Sequence, residues 1–174
     1  MTAMHLITPR LQLDTFVPGD IGERYLGWLS DPEVVRFSNQ RFRTHTEQSS
    51  HAYLASFQNS SNLFLCIREI EGRRVGTMTA YIAEPHGTGD MGLMIGERDC
   101  WGRGYGLEAW SAVMAHLFEN RRLRKVTGGT VRPNVGMVRI MERSGMTLEA
   151  VRQRQEVIAG CEEDVLYFAR FRAN

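Results

Sequence analysis

Between Pro9 and Thr15 apolar and polar side chains alternate, with Leu11 and Leu13 set against Gln12 and Asp14. A period of two puts each set on its own face, so the segment reads as a half-buried strand. Pro18-Gly19-Asp20 is a turn and a helix start, and Tyr25, Leu26, Trp28 and Leu29 then form one apolar helical face. Asp31-Pro32-Glu33 opens a short helical or irregular piece. Thr46 with Ser49, and Thr44 upstream, offer caps for a second helix carrying Ala52, Tyr53, Leu54 and Phe57. Ser60, Ser61 and Asn62 close it.

Three strands follow: Leu63 to Ile70, Val75 to Ala83 and Asp90 to Gly96, joined by turns at Glu71-Gly72-Arg73 and Glu84 to Gly89. Leu107, Trp110, Met114 and Leu117 recur at three- and four-residue steps and predict a helix. Arg124 to Val131 reads as a strand. Pro133-Asn134 begins a further helix with Val138, Ile140 and Met141, and Ser144-Gly145 suits its C-terminal cap. Thr147 to Val157 and Glu163 to Arg172 are strands around a turn at Ala159-Gly160. The order is one strand, two helices, three strands, helix, strand, helix, two strands. It predicts a single α/β domain over residues 1–174, built on a mixed, twisted sheet of seven strands with helices on both faces.

Composition narrows the function classes. A net charge of +1, with 43% hydrophobic and 24% charged residues, is ordinary for a globular chain and points to neither nucleic acid nor a membrane surface. Arg121, Arg122, Arg124 and Lys125 are expected at a helix C-terminus and the turn beyond it. Cys66, Cys100 and Cys161 are odd in number and lack paired spacing, so neither a disulfide framework nor a metal site is expected. A cytoplasmic protein, monomeric or homodimeric, is the expectation.

The chemistry concentrates in Cys100-Trp101-Gly102-Arg103-Gly104-Tyr105-Gly106-Leu107-Glu108-Ala109. Three glycines at alternate positions lie between an apolar strand and a helix. Glycine lets the backbone curl close to a ligand, and the helix start aims unpaired N–H groups at the same point. A phosphate or pyrophosphate is the natural occupant, with Arg103 as added charge. A tight turn alone gives the same glycines. The spacing differs from the dinucleotide fingerprint, and Leu107-Glu108 stands where a nucleoside-triphosphate loop has Lys-Ser/Thr.

Taken with its surroundings, the loop resembles that of the GNAT superfamily of N-acetyltransferases. The likeness is carried by Met91 to Gly96, by Trp101 to Gly106 with Glu108-Ala109, and by Val131, Pro133-Asn134, Arg139, Glu142 and Gly145-Met146. Thr8-Pro9-Arg10-Leu11 and Glu163 to Phe168 fit the branch that holds ribosomal-protein alanine and amino-sugar acetyltransferases. The resemblance implies a mostly antiparallel sheet whose central strands, Asp90–Gly96 and Arg124–Val131, splay apart.

It also implies acetyl-CoA as cosubstrate, with its pyrophosphate on the amides of Gly102, Arg103, Gly104, Tyr105, Gly106 and Leu107. Met94, Ile95 and Gly96 would supply main-chain bonds to the pantetheine arm, and Arg139 and Asn134 further contacts. Asn134 would stand near the thioester. The implied reaction is direct acetyl transfer to a primary amine, which needs a base. Glu33, His86 and Asp90 are the candidates, with Glu33 near the acceptor lid. The Tyr acid of many relatives is here Met141, and the usual Ser or Thr after Asn134 is Met137. Trp28 to Phe37, with Arg41-Phe42 and His45-Thr46, resembles amino-sugar acetyltransferases. A nucleotide-linked amino sugar is therefore the first acceptor, with a protein N-terminus or a small amine as alternatives, and an acetyl-CoA sensor as the non-enzymatic reading.

Overall fold

The computed structural model describes residues 4–173. Strand β1 (His5–Ile7) and strand β2 (Leu11–Thr15) are antiparallel neighbours. Helix α1 (Glu23–Ser30) follows, then a segment with one 3-10 turn, then helix α2 (Glu47–Ala55). Thr46 caps α2 as its spacing implies, its side chain accepting from the Ser49 N–H at 3.1 Å. Strands β3 (Leu63–Glu69), β4 (Arg74–Ala83) and β5 (Thr88–Ile95) form an antiparallel meander. Helix α3 (Tyr105–Glu119), strand β6 (Lys125–Val131), helix α4 (Val135–Arg143) and strands β7 (Thr147–Ile158) and β8 (Cys161–Phe171) complete the order.

The sheet has eight strands in the order β1-β2-β3-β4-β5-β6-β8-β7, one more than the pattern predicts. The addition is β1. Three residues are too few to show a period, and its place is fixed from outside, by register with Gln12 to Asp14 and by the Met4 N–H on Thr15 Oγ1 at 2.8 Å. Only β5 and β6 run parallel, and their pairing covers Thr88 to Asp90 against Lys125 to Thr127. Beyond that point the strands part.

Each face of the sheet carries its own core. Odd positions of β5, with Leu11, Leu13, Ile67 and Val126, pack under α3 and α4, where Trp110, Leu117 and Met141 are fully buried. The opposite face packs Phe16, Phe64 and Phe57 under α1 and α2, with Phe16 and Phe64 stacked at 4.2 Å. The basic cluster after α3 secures the turn there. Arg121 donates to the Ser61 carbonyl at 3.3 Å and Arg124 to the His86 carbonyl at 2.8 Å.

One contact docks α1 on the end of β5. The Trp28 indole lies directly on Gly96, where an added Cβ would come within 2.1 Å of the ring. Glu97 then gathers three donors, from Trp28 Nε1 at 3.0 Å, Arg24 at 3.0 Å and Arg73 at 2.7 Å. Burial opposes ionisation of Glu97. The hydrogen bonds from Arg73 and Trp28 and the Arg24 and Arg73 charges outweigh it and hold the carboxyl below its ordinary value of 4.5.

Two outcomes follow from this docking. Gly96→Ala forces the indole off its seat and should cost about 1–3 kcal/mol, read as a lower urea midpoint. Because the native Glu97 value is depressed, its contribution is complete above the ordinary value and is lost as pH falls through the native one. The wild-type midpoint should therefore drop between about pH 6 and about pH 3.5 by more than that of Glu97→Gln. Equal drops would remove Glu97 as the acid-sensitive link.

Candidate active site

The glycine loop sits where β5 ends and α3 begins. Gly102 (φ +75°) and Gly104 (φ +83°) lie in the left-handed region, which glycine adopts without strain. An added Cβ on Gly102 would meet nothing within 4 Å, so this backbone faces open space. No side chain caps α3. Its first N–H groups, at Tyr105, Gly106 and Leu107, therefore point into the loop without a side-chain partner, at the positive end of a fifteen-residue helix. Gly106 is glycine for a different reason. A Cβ there would come within 2.8 Å of Ile140 and 3.2 Å of Leu93, so α3 can approach α4 and β5 only without one.

A clamp from the first strand pair holds the loop in shape. Glu108 accepts from Thr8 Oγ1 at 2.6 Å, from the Arg10 N–H at 2.9 Å and from Arg10 Nε at 2.7 Å. Arg10 also donates to the Arg103 carbonyl at 2.8 Å. Burial works against the Glu108 charge, but these donors hold its carboxyl below the usual range. The Tyr105 hydroxyl donates to Glu69 at 2.9 Å, and Arg10 stacks on its ring. Tyr105 is thus a strut, and Arg103 contributes its main chain to the clamp while its side chain is exposed.

The free edge of β5 differs from the expected one. The Gly96 N–H donates to the Val75 carbonyl of β4 at 2.9 Å. Backbone groups alternate sides along a strand, so Met94 and Gly96 turn to β4, while Leu93 and Ile95 turn to the gap left by β6. The Ile95 carbonyl is taken by Trp101 Nε1 at 2.8 Å. What remains open is the Leu93 N–H and carbonyl and the Ile95 N–H. Leu93, part of the quoted strand but not among the main-chain contacts expected from it, joins Ile95 on the open edge in place of Met94 and Gly96. Strand parity is invisible until the pairing partner is known.

Across the gap, Asn134 caps α4. Its side-chain oxygen accepts from the Met137 N–H at 3.3 Å, and its amide donates to Thr130 Oγ1 at 3.0 Å. One amide hydrogen is left over. Arg139 is exposed on α4, with no hydrogen bond or ion pair among the described residues. Met141 is fully buried beside Trp110, under Gly128, and is part of the core.

The candidate bases separate. Asp90 stands at the fork itself, accepting from Thr127 Oγ1 at 2.6 Å. It shares parity with Met94 and Gly96 and so projects to the α1–α2 face. Tyr81 lies opposite it in register, and its hydroxyl is 2.7 Å from that of Tyr53. Burial raises the Tyr53 phenol well above its ordinary value, and Tyr81 adds to the effect. Glu33 is exposed, 4.0 Å from Arg36, on the outside of the segment between α1 and α2. His86 lies in the turn before β5, its carbonyl held by Arg124. The structure brings Asp90 to the fork and leaves Glu33 and His86 outside it. Asp164 is paired with Arg132 at 2.9 Å.

A cavity of about 510 Å³ opens between the α1–α2 segment and the β7–β8 turn, lined among others by Leu29, Val35, Arg36, Arg43, His45 and Ile158. It is of small-molecule size.

Residues 10–147 match the acetyltransferase (GNAT) domain family. No curated protein matches the chain. Among solved structures, a GNAT-family acetyltransferase from Bacillus anthracis superposes with a TM-score of 0.80 at 20% identity, covering 97% of this chain and 98% of that one. Spermidine N-acetyltransferase from Vibrio cholerae, in complex with CoA and spermine, gives 0.84 at 14% identity over 95% and 97%. Ribosomal-protein-S5-alanine acetyltransferase from Vibrio fischeri gives 0.79 at 13% identity over 98% of both chains. At these identities the neighbours establish the shared fold, and the family match establishes the kinship: the chain belongs to the GNAT acetyltransferases.

Proposed function

We propose that this acetyltransferase moves an acetyl group from acetyl-CoA to a primary amine, and that the amine belongs to a nucleotide-linked amino sugar. The observation that carries the cosubstrate is the open main-chain edge at Leu93 and Ile95, running into an uncapped helix start behind two left-handed glycines. An extended arm is received by such an edge as a further strand would be. A pyrophosphate is received by the N–H groups of the helix start. The acceptor assignment rests on the resemblance of Trp28 to Phe37. A protein N-terminus or a small amine is the second reading, the fold being shared with both the S5-alanine and the spermidine enzymes.

Acetyl-CoA, when bound, supplies the acetyl group as a thioester. The chain's own residues do the rest. Leu93 and Ile95 orient the arm along β5, and their N–H groups are the donors closest in kind to an oxyanion site. Asp90, on the acceptor side of the fork, takes the amine proton, directly or through one water. Tyr81 and Tyr53 fix the position of that water or of the amine. The spare amide hydrogen of Asn134 bonds the departing sulfur.

Calorimetry with CoA tests the loop. Gly104→Val places a branched residue at φ +83° and should weaken binding about tenfold or more, while Arg103→Ala should do less because the amides remain. Asn134→Ser keeps a capping oxygen and removes the amide. It should leave the melting temperature near wild type and lower kcat, whereas an unchanged kcat would confine Asn134 to capping. CoA release across amino sugars, peptides and small amines identifies the acceptor, and release with none of them would favour a sensor. Turnover should rise with pH towards the amine's own pKa.

A further inference from the structure

We infer that the cavity between the α1–α2 segment and the β7–β8 turn is a phosphate-binding acceptor site, in which Arg36 and Arg43 hold the phosphate of a small phosphorylated or nucleotide-bearing amine. This inference rests on the acetyl-transfer reading above and names what the acceptor must carry.

Cations dominate the walls. Arg36, Arg41, Arg43 and His45 line the cavity, and no acidic side chain does so among the described residues. The cations are not equally engaged. Arg41 is committed, donating to the Ser38 carbonyl at 2.8 Å and the Val157 carbonyl at 3.2 Å, with Glu156 at 3.8 Å. Arg36 has the exposed Glu33 at 4.0 Å and lies over the Phe37 ring at 5.1 Å. The Arg43 N–H donates to the Gln40 carbonyl at 3.0 Å, and its guanidinium has no ion pair or hydrogen bond among the described residues. The His45 Nε2–H donates to the Gln40 carbonyl at 3.0 Å, which fixes the ring and spends its proton. Two guanidinium forks thus line a cavity that has no acidic side chain in its lining among the described residues. They match the several terminal oxygens of a phosphate.

The second observation lies deeper. A recess of about 90 Å³ shares Leu29, Gln40, Arg43, Thr44 and His45 with the main cavity and ends on Ser50, Tyr25 and Tyr53. Ser50 is 5% exposed, and its hydroxyl is buried without any partner. An orphaned hydroxyl in a polar recess is a place for a ligand's polar group. Tyr53 passes the line on to Tyr81, opposite Asp90. Phosphate at the arginine wall and amine at the fork thus occupy two ends of one polar path. A polyamine, cationic throughout, would meet arginines along it.

The test is calorimetry on protein saturated with CoA, so that the glycine loop is already filled. Uridine diphosphate and inorganic pyrophosphate are the probes, with malate and spermidine in parallel. Both phosphates should bind and malate about tenfold more weakly or less, while spermidine should give no heat. Arg36→Ala combined with Arg43→Ala should weaken the phosphates at least about tenfold, whereas Arg143→Gln, on the exposed side of α4, should not. Ser50→Ala should spare pyrophosphate, which needs only the wall. Absence of phosphate binding, indifference to the double substitution, equal binding of malate, or binding of spermidine would each overturn the inference. Failure of CoA itself to bind would instead overturn the acetyl-transfer reading.

Discussion

Pairing between β5 and β6 ends at Asp90 and Thr127, and every part of the site is placed by that break. Both strands stay fully paired on their outer edges, β5 with β4 through Ile95 and β6 with β8 through Val131. The sheet is therefore two half-sheets hinged on one short parallel ladder. Unpaired main-chain groups inside a protein must find partners. Along the inner edge of β5 Trp101 takes one carbonyl, and the others are left for water or ligand. The gap opens to both faces of the sheet. Helices α3 and α4 meet one opening and the α1–α2 segment the other, so two substrates can approach from opposite sides without sharing a path.

Much of this was legible in the residues. The glycine loop, the Asn134 cap, the buried faces of α3 and α4 and the meander of β3 to β5 all rest on local rules, namely periodicity, capping and turn chemistry. Tertiary facts escaped. Gly96 reads as a cofactor contact but is glycine because Trp28 lies on it. Glu108 and the Thr8-Pro9-Arg10 stretch read as separate marks of a family, and only the fold shows them as two halves of one clamp. Tyr81 is one residue of a strand until its register with Asp90 and its bond to Tyr53 are seen. In each case the deciding partner is distant in sequence, so no window along the chain contains the answer.

Electrostatics set two kinds of surface in the proposed site. The glycine loop offers main-chain dipoles, whose direction is set by backbone geometry and which carry no net charge. The cavity offers side-chain charges on a segment with little regular structure. The first is stiff, built into a strand–helix junction and braced by Arg10 and Glu108. The second varies with the residues of one loop. A family that keeps one cosubstrate and changes its acceptors needs that division.

The Arg10–Glu108 clamp also has a consequence for biosynthesis. Its partners are 98 residues apart, and Arg10, in the turn between β1 and β2, is made well before Glu108. The loop emerges with its helix, but its brace closes only when that helix packs against the strands on either side of Arg10. Local elements can form during synthesis, whereas contacts of such long separation come late. The glycine loop is therefore given its brace by one of the later events of folding, and without α3 there is no Glu108 to close it.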